Sequence, residues 1–425
     1  MKTTTICLLL ALLCPCLMAQ AGGGTDSEAA SRIATEKEEA AKLGANIVHN
    51  LADAKALPED VAAVFSLDKL DDSLLLELKK RKSLKVLAFS RWRLGDEWVS
   101  DASLEILASF PALEELHLTL QEKFTSKGAA KLAGLKTLKQ LRMSYCQPLE
   151  VSVVAAFKKH SSLAGLALPA ALSPALMAAV ADIPELRWLE VQGAMSGDNP
   201  FKDIDKCKKL EHLGLENSAI ATAALAPLAK HKTLKSLRLG MLAVRVWTDD
   251  LLLAISKIKG LETLNTDTTS STSSATAKGF EKLGMLKNLK SLAITYDFAK
   301  SLTPTVLKAL LASLPALTSL ELRYQYEMPL ETVSALAERA KLTRLVFANG
   351  GITDTDFKAV LGKCTALEHL EFNADGLSED VAVEALQAAP GLKEVVFWES
   401  ERVLAAVPGK IRQARPEITI VRNPY

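Results

Sequence analysis

Apolar residues in this chain follow two different spacings, and the stretch GGITDTDFKAVLGKCTALEHLEF (residues 350–372) shows both. Phe357 and Val360 lie at the three-to-four-residue spacing of one helix face, whereas Leu370 and Phe372 alternate as residues on one face of a strand do. The pattern predicts a helix that is followed at once by a short strand.

This change of spacing recurs along the chain. A seven-residue unit, L-x-x-L-x-L-x, occurs thirteen times at intervals of 23 to 29 residues. Its copies begin at residues 84, 113, 138, 163, 186, 210, 234, 261, 289, 317, 342, 367 and 392. A fixed period of this length is typical of a solenoid, in which no single unit can bury its apolar face alone.

Each unit predicts a strand, a turn, a helix and a return. The fourth and sixth positions of the unit alternate and therefore point to the same side of the strand. Ser173-Pro174 and Thr303-Pro304 have the pattern of a helix N-cap followed by proline at the first helical position. Stacked units place their strands side by side in parallel, with the helices on the other side of the buried leucines.

The cysteines occupy particular places in the unit. Cys207 and Cys364 lie three residues before a first leucine, Cys146 lies at the ninth position of its unit, and ITD occupies 352–354. With these features the chain resembles the leucine-rich repeat proteins, more closely their cysteine-containing and ribonuclease-inhibitor-like subtypes, of the bacterial secreted kind. The resemblance covers roughly residues 61–421.

The resemblance implies an α/β leucine-rich repeat solenoid, a horseshoe with a parallel concave β-sheet, convex helices and about 13 repeats. It also implies that the three cysteines are small core residues rather than redox or metal groups. The chain departs from the family pattern at the ninth position, where most units lack cysteine or asparagine. A continuous ladder of those two residue types is therefore not predicted. The polar stretch 265–277 predicts a solvated loop inserted in the eighth unit.

The N-terminus has the pattern of a secretory signal peptide. Lys2 is followed by an apolar run over residues 6–18 and by the small-residue site AQA at 19–21. The predicted organisation is a signal peptide over 1–21, a linker and short helix or cap over 22–60, and the repeat region with its capping units over 61–425. The protein is thus expected to be secreted or periplasmic. A lipid anchor is disfavoured, because Leu13 and Pro15 precede the cysteines of that segment.

Composition and motifs exclude several classes of function. The formal charge of +1 gives no basic excess for nucleic acid, and no apolar stretch is long enough for a membrane span. The chain has no catalytic, phosphate-binding or metal-binding sequence motif, and its six histidines are scattered. Asp354 and Asp356 are assigned to the start of a helix. We therefore predict a protein that is not an enzyme and that needs no metal or cofactor.

The candidate binding residues come from the sheet face opposite to the leucines. The third, fifth and seventh positions of each unit are predicted to face the concave, solvent side. Trp188 with Arg142, Glu190 and His212 forms the first predicted cluster, since Trp and Arg are enriched in binding hot spots. The full set of predicted partner-binding residues is Arg142, Trp188, Glu190, His212, Arg238, Arg323, Arg344, His369, Glu371 and Trp398.

These observations favour a non-enzymatic binding scaffold that docks a protein or peptide on its concave sheet, because an extended sheet suits macromolecules better than small ligands. Two alternatives stay open: a structural spacer of the cell envelope, and an enzyme with an unrecognised site. A contiguous patch around a tryptophan would favour partner binding, and a featureless polar face would favour a spacer.

Overall fold

The fold is taken from a computed structural model. It describes residues 40–41, 44–66, 71–89, 99–119, 121, 123–240, 246–266, 272–295, 301–323, 336, 341–348, 353–374, 377–399 and 406–424. The predicted signal peptide lies outside these ranges, as do residues 22–39 and 42–43 of the predicted N-terminal linker and short helix or cap. The chain divides into two compact units, Met1–Ala219 and Ile220–Tyr425.

The described part of the first unit has eight strands that pair in parallel in chain order. They are β1 (Asn46–Val48), β2 (Ala63–Ser66), β3 (Val86–Phe89), β4 (Glu115–Thr119), β5 (Gln140–Ser144), β6 (Gly165–Leu168), β7 (Trp188–Gln192) and β8 (His212–Glu216). The helices of this unit are α1 (Leu51–Ala56), α2 (Asp72–Leu78), α3 (Asp101–Leu107), α4 (Ser126–Ala130), α5 (Val151–Ala156) and α6 (Pro174–Ala181), with 3-10 turns at Lys131–Gly134 and Ile204–Lys206.

The second unit repeats this arrangement in its described residues. Its main sheet contains β9 (Ser236–Gly240), β11 (Thr263–Thr266), β13 (Ser291–Thr295), β14 (Ser319–Arg323), β15 (Arg344–Ala348), β16 (His369–Asn373), β17 (Glu394–Glu399) and β18 (Thr419–Pro424). Its helices are α7 (Asp249–Ser256), α8 (Ala277–Leu283), α9 (Pro304–Ser313), α10 (Asp354–Lys363), α11 (Glu379–Ala388) and α12 (Val407–Ala414), with a 3-10 helix at Thr222–Lys230.

The strand register places equivalent positions of successive repeats side by side. Leu116 pairs with Leu141, and Leu141 pairs with Leu166. The first, fourth and sixth positions of the described units are almost all buried, and Leu213 is 1% exposed. Because each unit is a stack of strand–helix repeats around rows of buried leucines, the predicted leucine-rich repeat fold is confirmed.

The polar stretch 265–277 is not wholly a loop. Thr272–Ser273 forms a strand, β12, that pairs in parallel with β10 (Val246–Trp247). Residues 267–271 lie outside the described ranges. The expectation of a loop is therefore wrong for Thr272–Ser273, where the backbone of the preceding repeat provides hydrogen-bond partners that composition does not reveal, and for Asn265 and Thr266, which are buried in β11.

Three different side chains contact backbone carbonyls at the ninth position of repeats in the first unit. Gln121 donates to the carbonyl of Thr119 at 3.1 Å, and the Cys146 thiol points at the carbonyl of Leu118 at 3.5 Å. Ser218 donates to the carbonyl of Glu216 at 2.9 Å. A uniform asparagine or cysteine ladder is thus replaced by a mixed one in the first unit; the ninth positions from residue 242 onward lie outside the described ranges.

An aspartate at the first position of one helix holds the N-cap of the next helix. Asp101 accepts hydrogen bonds from both the amide and the hydroxyl of Thr125, each at 2.7 Å. Asp249 binds Thr276 in the same way, and Asp354 binds Ser378 with distances of 2.8 and 2.7 Å. Asp354 therefore begins its own helix, as predicted, and also fixes the start of the next.

Replacing Leu213 by aspartate should destabilise the protein strongly, because an unpaired charge would enter a row of buried leucines. We expect a loss of more than about 3 kcal/mol in the free energy of unfolding, measured by urea denaturation. Lys208→Asp introduces the same side chain at a neighbouring exposed position and should have little effect. Equal stabilities of the two variants would contradict the placement of Leu213 in the core.

Gly128→Ala should destabilise the protein, although alanine is the better helix former. A Cβ atom at Gly128 would overlap the Asp101 carboxylate and lie 3.1 Å from its backbone Cα. Displacing that carboxylate costs its hydrogen bonds to Thr125, about 1–2 kcal/mol.

The matched control is Gly362→Ala, since a Cβ atom at that exposed position in α10 meets nothing within 4 Å. It should stabilise the protein by about 0.5–1 kcal/mol. Thermal unfolding measures the stability of both variants. If both changed stability in the same direction, displacement of the Asp101 carboxylate would be contradicted as the cause.

Candidate functional site

The sheet face opposite to the leucine rows, here called the open face, carries the third, fifth and seventh positions of the repeats. The expectation that all three face solvent is wrong for the fifth position. His117, Arg142, Glu190, Glu321 and Glu371 are only 4–7% exposed. Side chains on strands about 4.8 Å apart cover one another, so long residues in neighbouring strands fold over the middle row. The third position is the more accessible one.

Trp188 and Arg142 are stacked on the open face of the first unit. The guanidinium carbon of Arg142 lies 4.1 Å from the centroid of the Trp188 ring, which is a cation–π distance. The stack crosses β6, where a Cβ atom at Gly165 would lie 3.5 Å from the ring. Glu190 leans over Gly214 in the same manner, with its Cγ 3.1 Å from where a Cβ atom would be. In both cases a glycine in one strand makes room for a long side chain from an adjacent strand.

A polar chain beside this stack was missed from the sequence. The Tyr145 hydroxyl donates to Glu216 at 2.8 Å, and the Tyr145 amide donates to the Gln192 side chain at 2.8 Å. Gln192 in turn donates to Glu190 at 2.9 Å. Tyr145 adopts a positive φ of 55°, which no sequence pattern announced. Glu190, Gln192 and Glu216 are all buried, so the seventh position also departs from the solvent-facing expectation.

The other predicted residues of this region take simpler places. His212 pairs in register with Trp188 on the adjacent strand and is half-buried. Arg238 belongs to the second unit, where it is half-buried on β9 in register with Asn265. The structure therefore brings Arg142 on β5 together with Trp188 and Glu190 on β7, and His212 on β8 lies beside the tryptophan.

A larger set of charged side chains lies on the open face of the second unit. This set, called the Glu371 network, consists of Glu321, Arg323, Arg344, His369, Glu371, Glu394 and Trp398. Arg323 donates two hydrogen bonds, of 2.6 and 2.9 Å, to the Glu371 carboxylate and also donates one to Glu321. Trp398 donates its indole N–H to Glu371 at 3.0 Å. Since Arg323 on β14 reaches Glu371 on β16, it crosses β15.

The outer row of the network is formed by Arg344, His369 and Glu394, which are paired in register on β15, β16 and β17. His369 Nδ1 lies 2.6 Å from a Glu394 oxygen, and its Nε2 lies 3.9 Å from Glu371. Arg344 is 3.8 Å from a Glu321 oxygen and 4.0 Å from Glu371. These longer distances are ion-pair contacts rather than hydrogen bonds.

Burial and charge act in opposite directions on these groups. Burial alone would raise the pKa of Glu371, but His369 and the hydrogen-bonded Arg323 outweigh it and hold the pKa at about 2. Burial would lower the pKa of His369, yet the carboxylates of Glu371 and Glu394 raise it overall. The imidazole contact in turn lowers the pKa of Glu394. The geometry therefore stabilises the charged form of each group.

The remaining candidates from the sequence have structural roles. Cys146, Cys207 and Cys364 are buried thiols, and burial raises the pKa of Cys207 to about 12 and of Cys364 to about 11, so neither is a reactive thiolate. His160 is buried, bridges to the carbonyl of Leu135 at 2.9 Å and thereby joins two repeats.

Neither a metal-binding cluster nor a membrane-spanning helix occurs among the described residues. No group of three or more histidine, cysteine or acidic side chains is placed to hold a metal ion. None of the helices in those ranges has the length and apolar character needed to traverse a bilayer.

Comparisons with known proteins add little to this picture. No family model and no curated protein matches the sequence. Among solved structures, an internalin from Listeria monocytogenes is 14% identical over 88% of this chain and 88% of its own, with a TM-score of 0.40. The TLR13–ssRNA13 complex is 13% identical over 85% of this chain, with a TM-score of 0.36; this chain covers 55% of it, less than two thirds. At these scores the repeat fold rests on its own strand register.

Glu371→Gln should destabilise the protein in a pH-dependent way. At pH 7 the variant removes one of the two carboxylates that Arg323 binds and leaves only Glu321, which costs about 2–4 kcal/mol. Because the folded-state pKa of Glu371 is depressed to about 2 from 4.5, its charge stabilises the fold above pH 4.5 and this contribution is lost as the pH falls toward 2. The stability difference between wild type and variant should therefore shrink over that range.

Urea unfolding at pH 7, 5 and 3 measures this difference. Glu384→Gln is the control, because Glu384 forms an exposed pair with Lys358 and should change stability by less than about 0.5 kcal/mol at any pH. A wild-type-to-variant difference that stayed constant with pH would contradict the depressed pKa of Glu371.

Proposed function

We propose that this protein is a secreted or periplasmic, non-enzymatic scaffold that docks a protein or peptide on the open face of its repeats. The observation that carries the proposal is the Trp188–Arg142 stack. A half-buried tryptophan is held against an arginine on a rigid sheet, and these two residue types dominate the binding energy of many protein interfaces. Extracytoplasmic location is supported by the pattern of residues 1–21.

Preorganisation supports the same function. Binding normally costs the conformational entropy of each side chain that becomes fixed. On the open face much of this cost is met on folding, because Arg142 is stacked and Gln192 and Glu190 are joined by a hydrogen bond of 2.9 Å. A partner would therefore meet a surface that is already ordered.

The shape of the surface favours an extended partner. Each repeat contributes one strand, and equivalent positions are repeated at every strand along the sheet. A polypeptide lying across several strands can contact successive third-position residues, whereas a small ligand needs an enclosed pocket.

A structural spacer is the second candidate, and a specific observation favours it. Glu321, Glu371 and Glu216 are 1–7% exposed and already bind partners within the chain. A face whose charges satisfy one another in this way needs no external ligand. The two functions differ in whether the accessible third-position residues matter to another molecule.

The test compares Trp188→Ala with Leu76→Ala. Both changes remove apolar surface, but Leu76 lies on α2, is 52% exposed and is not on the open face. If the scaffold captures a partner from the native extracellular fraction, Trp188→Ala should weaken that capture at least about tenfold, and Leu76→Ala should not. Affinity for the captured partner is measured with purified proteins.

Trp188→Phe serves as the control for folding, since it keeps a ring beneath Arg142. Both tryptophan variants should unfold within about 1–2 kcal/mol of the wild type. Undiminished capture by Trp188→Ala in a folded protein would reject docking at this stack, and the absence of any saturable partner would favour the spacer.

A further inference from the structure

The Glu371 network is short of one positive charge when His369 is neutral. Its three carboxylates belong to Glu321, Glu371 and Glu394, and its two guanidinium groups belong to Arg323 and Arg344. A proton on His369 completes the balance. The charge count therefore depends on one titratable group whose two ring nitrogens both face carboxylates.

The missing charge is located at the accessible edge of the network. The Glu394 side chain is 46% exposed, against 9% for Glu321 and 7% for Glu371. Arg323 is committed to the two buried carboxylates, while the Glu394 carboxylate is held by the His369 imidazole at 2.6 Å. When the imidazole is neutral, Glu394 is the carboxylate that a molecule on the open face can reach.

We propose that Glu394 accepts a lysine or arginine side chain from the protein docked on the open face, and that this cation competes with a proton on His369. The inference rests on the proposed function, because it assumes docking on this face. A cationic group restores neutrality to three carboxylates and two guanidinium groups. An anionic group could reach the 33% exposed Arg344 guanidinium, but it would add to the excess of negative charge that the network carries when His369 is neutral.

All described charged groups that face His369 enter this competition. Glu394 lies on β17, Glu371 lies on the same strand as His369, and Arg344 lies on β15. Glu321 and Arg323 on β14 act through Glu371 and Arg344. The two carboxylates beside the imidazole outweigh Arg344 and raise the pKa of His369, which makes the protonated form the resting state at mildly acid pH.

Competition fixes the direction of the pH dependence. A partner cation that binds while one proton leaves His369 binds more tightly as the pH rises, by up to about tenfold per unit below the His369 pKa. By the same linkage, the bound cation must lower the pKa of His369. The docking face would thus release a basic partner in acid and hold it near neutral pH.

The test uses the full chain with ¹³C-labelled histidine and the peptide Gly-Ser-Arg-Ser-Gly as the probe. The control peptide carries citrulline, an uncharged analogue of arginine, at the central position. NMR follows the titration of the His369 ring, which is assigned by its absence in His369→Gln. The expected midpoint lies above the ordinary value of 6.5 and falls when the arginine peptide saturates the protein. The citrulline peptide should leave the midpoint unchanged.

Two variants sharpen the result. Glu394→Gln should lower the His369 midpoint and weaken the arginine peptide at least about tenfold above the midpoint, where Glu394 is reachable. His369→Gln should bind the peptide with an affinity that no longer changes across the midpoint. Both substitutions lie on the accessible edge, and thermal unfolding verifies that the variants fold. The inference would be overturned if the His369 midpoint did not change when the arginine peptide saturates the protein. It would also be overturned if Glu394→Gln left the affinity for the peptide unchanged, or if the peptide bound too weakly to measure.

Failure of this inference is distinguishable from failure of the proposed function. If Trp188→Ala abolishes partner capture while the arginine peptide leaves the His369 midpoint unchanged, docking on the open face is supported and the cation site is rejected. If the peptide lowers the His369 midpoint while no open-face variant affects partner capture, the cation site is supported and the scaffold function is rejected.

Discussion

The fold depends on leucines that stack in register from one parallel strand to the next. Each leucine row is buried by the equivalent residues of its neighbours, so no repeat has a core of its own. The helices, caps and turns follow from this constraint, because they only return the chain to the start of the next strand. The same register sets the opposite face, where third-position residues of neighbouring repeats must lie side by side.

Polar groups then decide how the repeats differ. Asp101, Asp249 and Asp354 each connect the start of one helix to the start of the next. Each aspartate accepts hydrogen bonds from the amide and the hydroxyl of the next helix's N-cap residue. On the open face, the Arg323–Glu371 pair is nearly buried and must offset the desolvation of both charges. Such a pair adds less net stability than its short distances suggest. Its geometry holds Trp398 and His369 against Glu371.

The sequence was sufficient for the repeat architecture and for which residues share a strand of the main sheet. A hydrophobic period of 23 to 29 residues dictated parallel strands, and the buried rows were found at the positions that alternation indicates. It also placed Trp188, Arg142 and Glu190 on one face. The exposure of that face could not be derived from alternation, because the covering of Glu371 depends on how far Arg323 and Trp398 reach across neighbouring strands.

Other features had no sequence signal at all. Tyr145 enters the polar chain through a left-handed backbone conformation that is uncommon for tyrosine. The ninth-position contacts of Gln121, Cys146 and Ser218 use three chemistries for one backbone task, so no common motif could reveal them. Long-range side-chain contacts of this kind are determined by the assembled sheet rather than by local pattern.

Gly165 links the packing of neighbouring repeats on the open face, because it lies between Gln140 on β5 and Trp188 on β7. The Trp188 ring lies over Gly165 of the preceding repeat, where an added Cβ atom would be 3.5 Å from the ring and 3.2 Å from Gln140. A mutation that adds a single methyl group at Gly165 would therefore leave the ring in van der Waals contact and crowd the Gln140 side chain instead. In a repeat array, the packing of one repeat can thus change through a substitution in its neighbour.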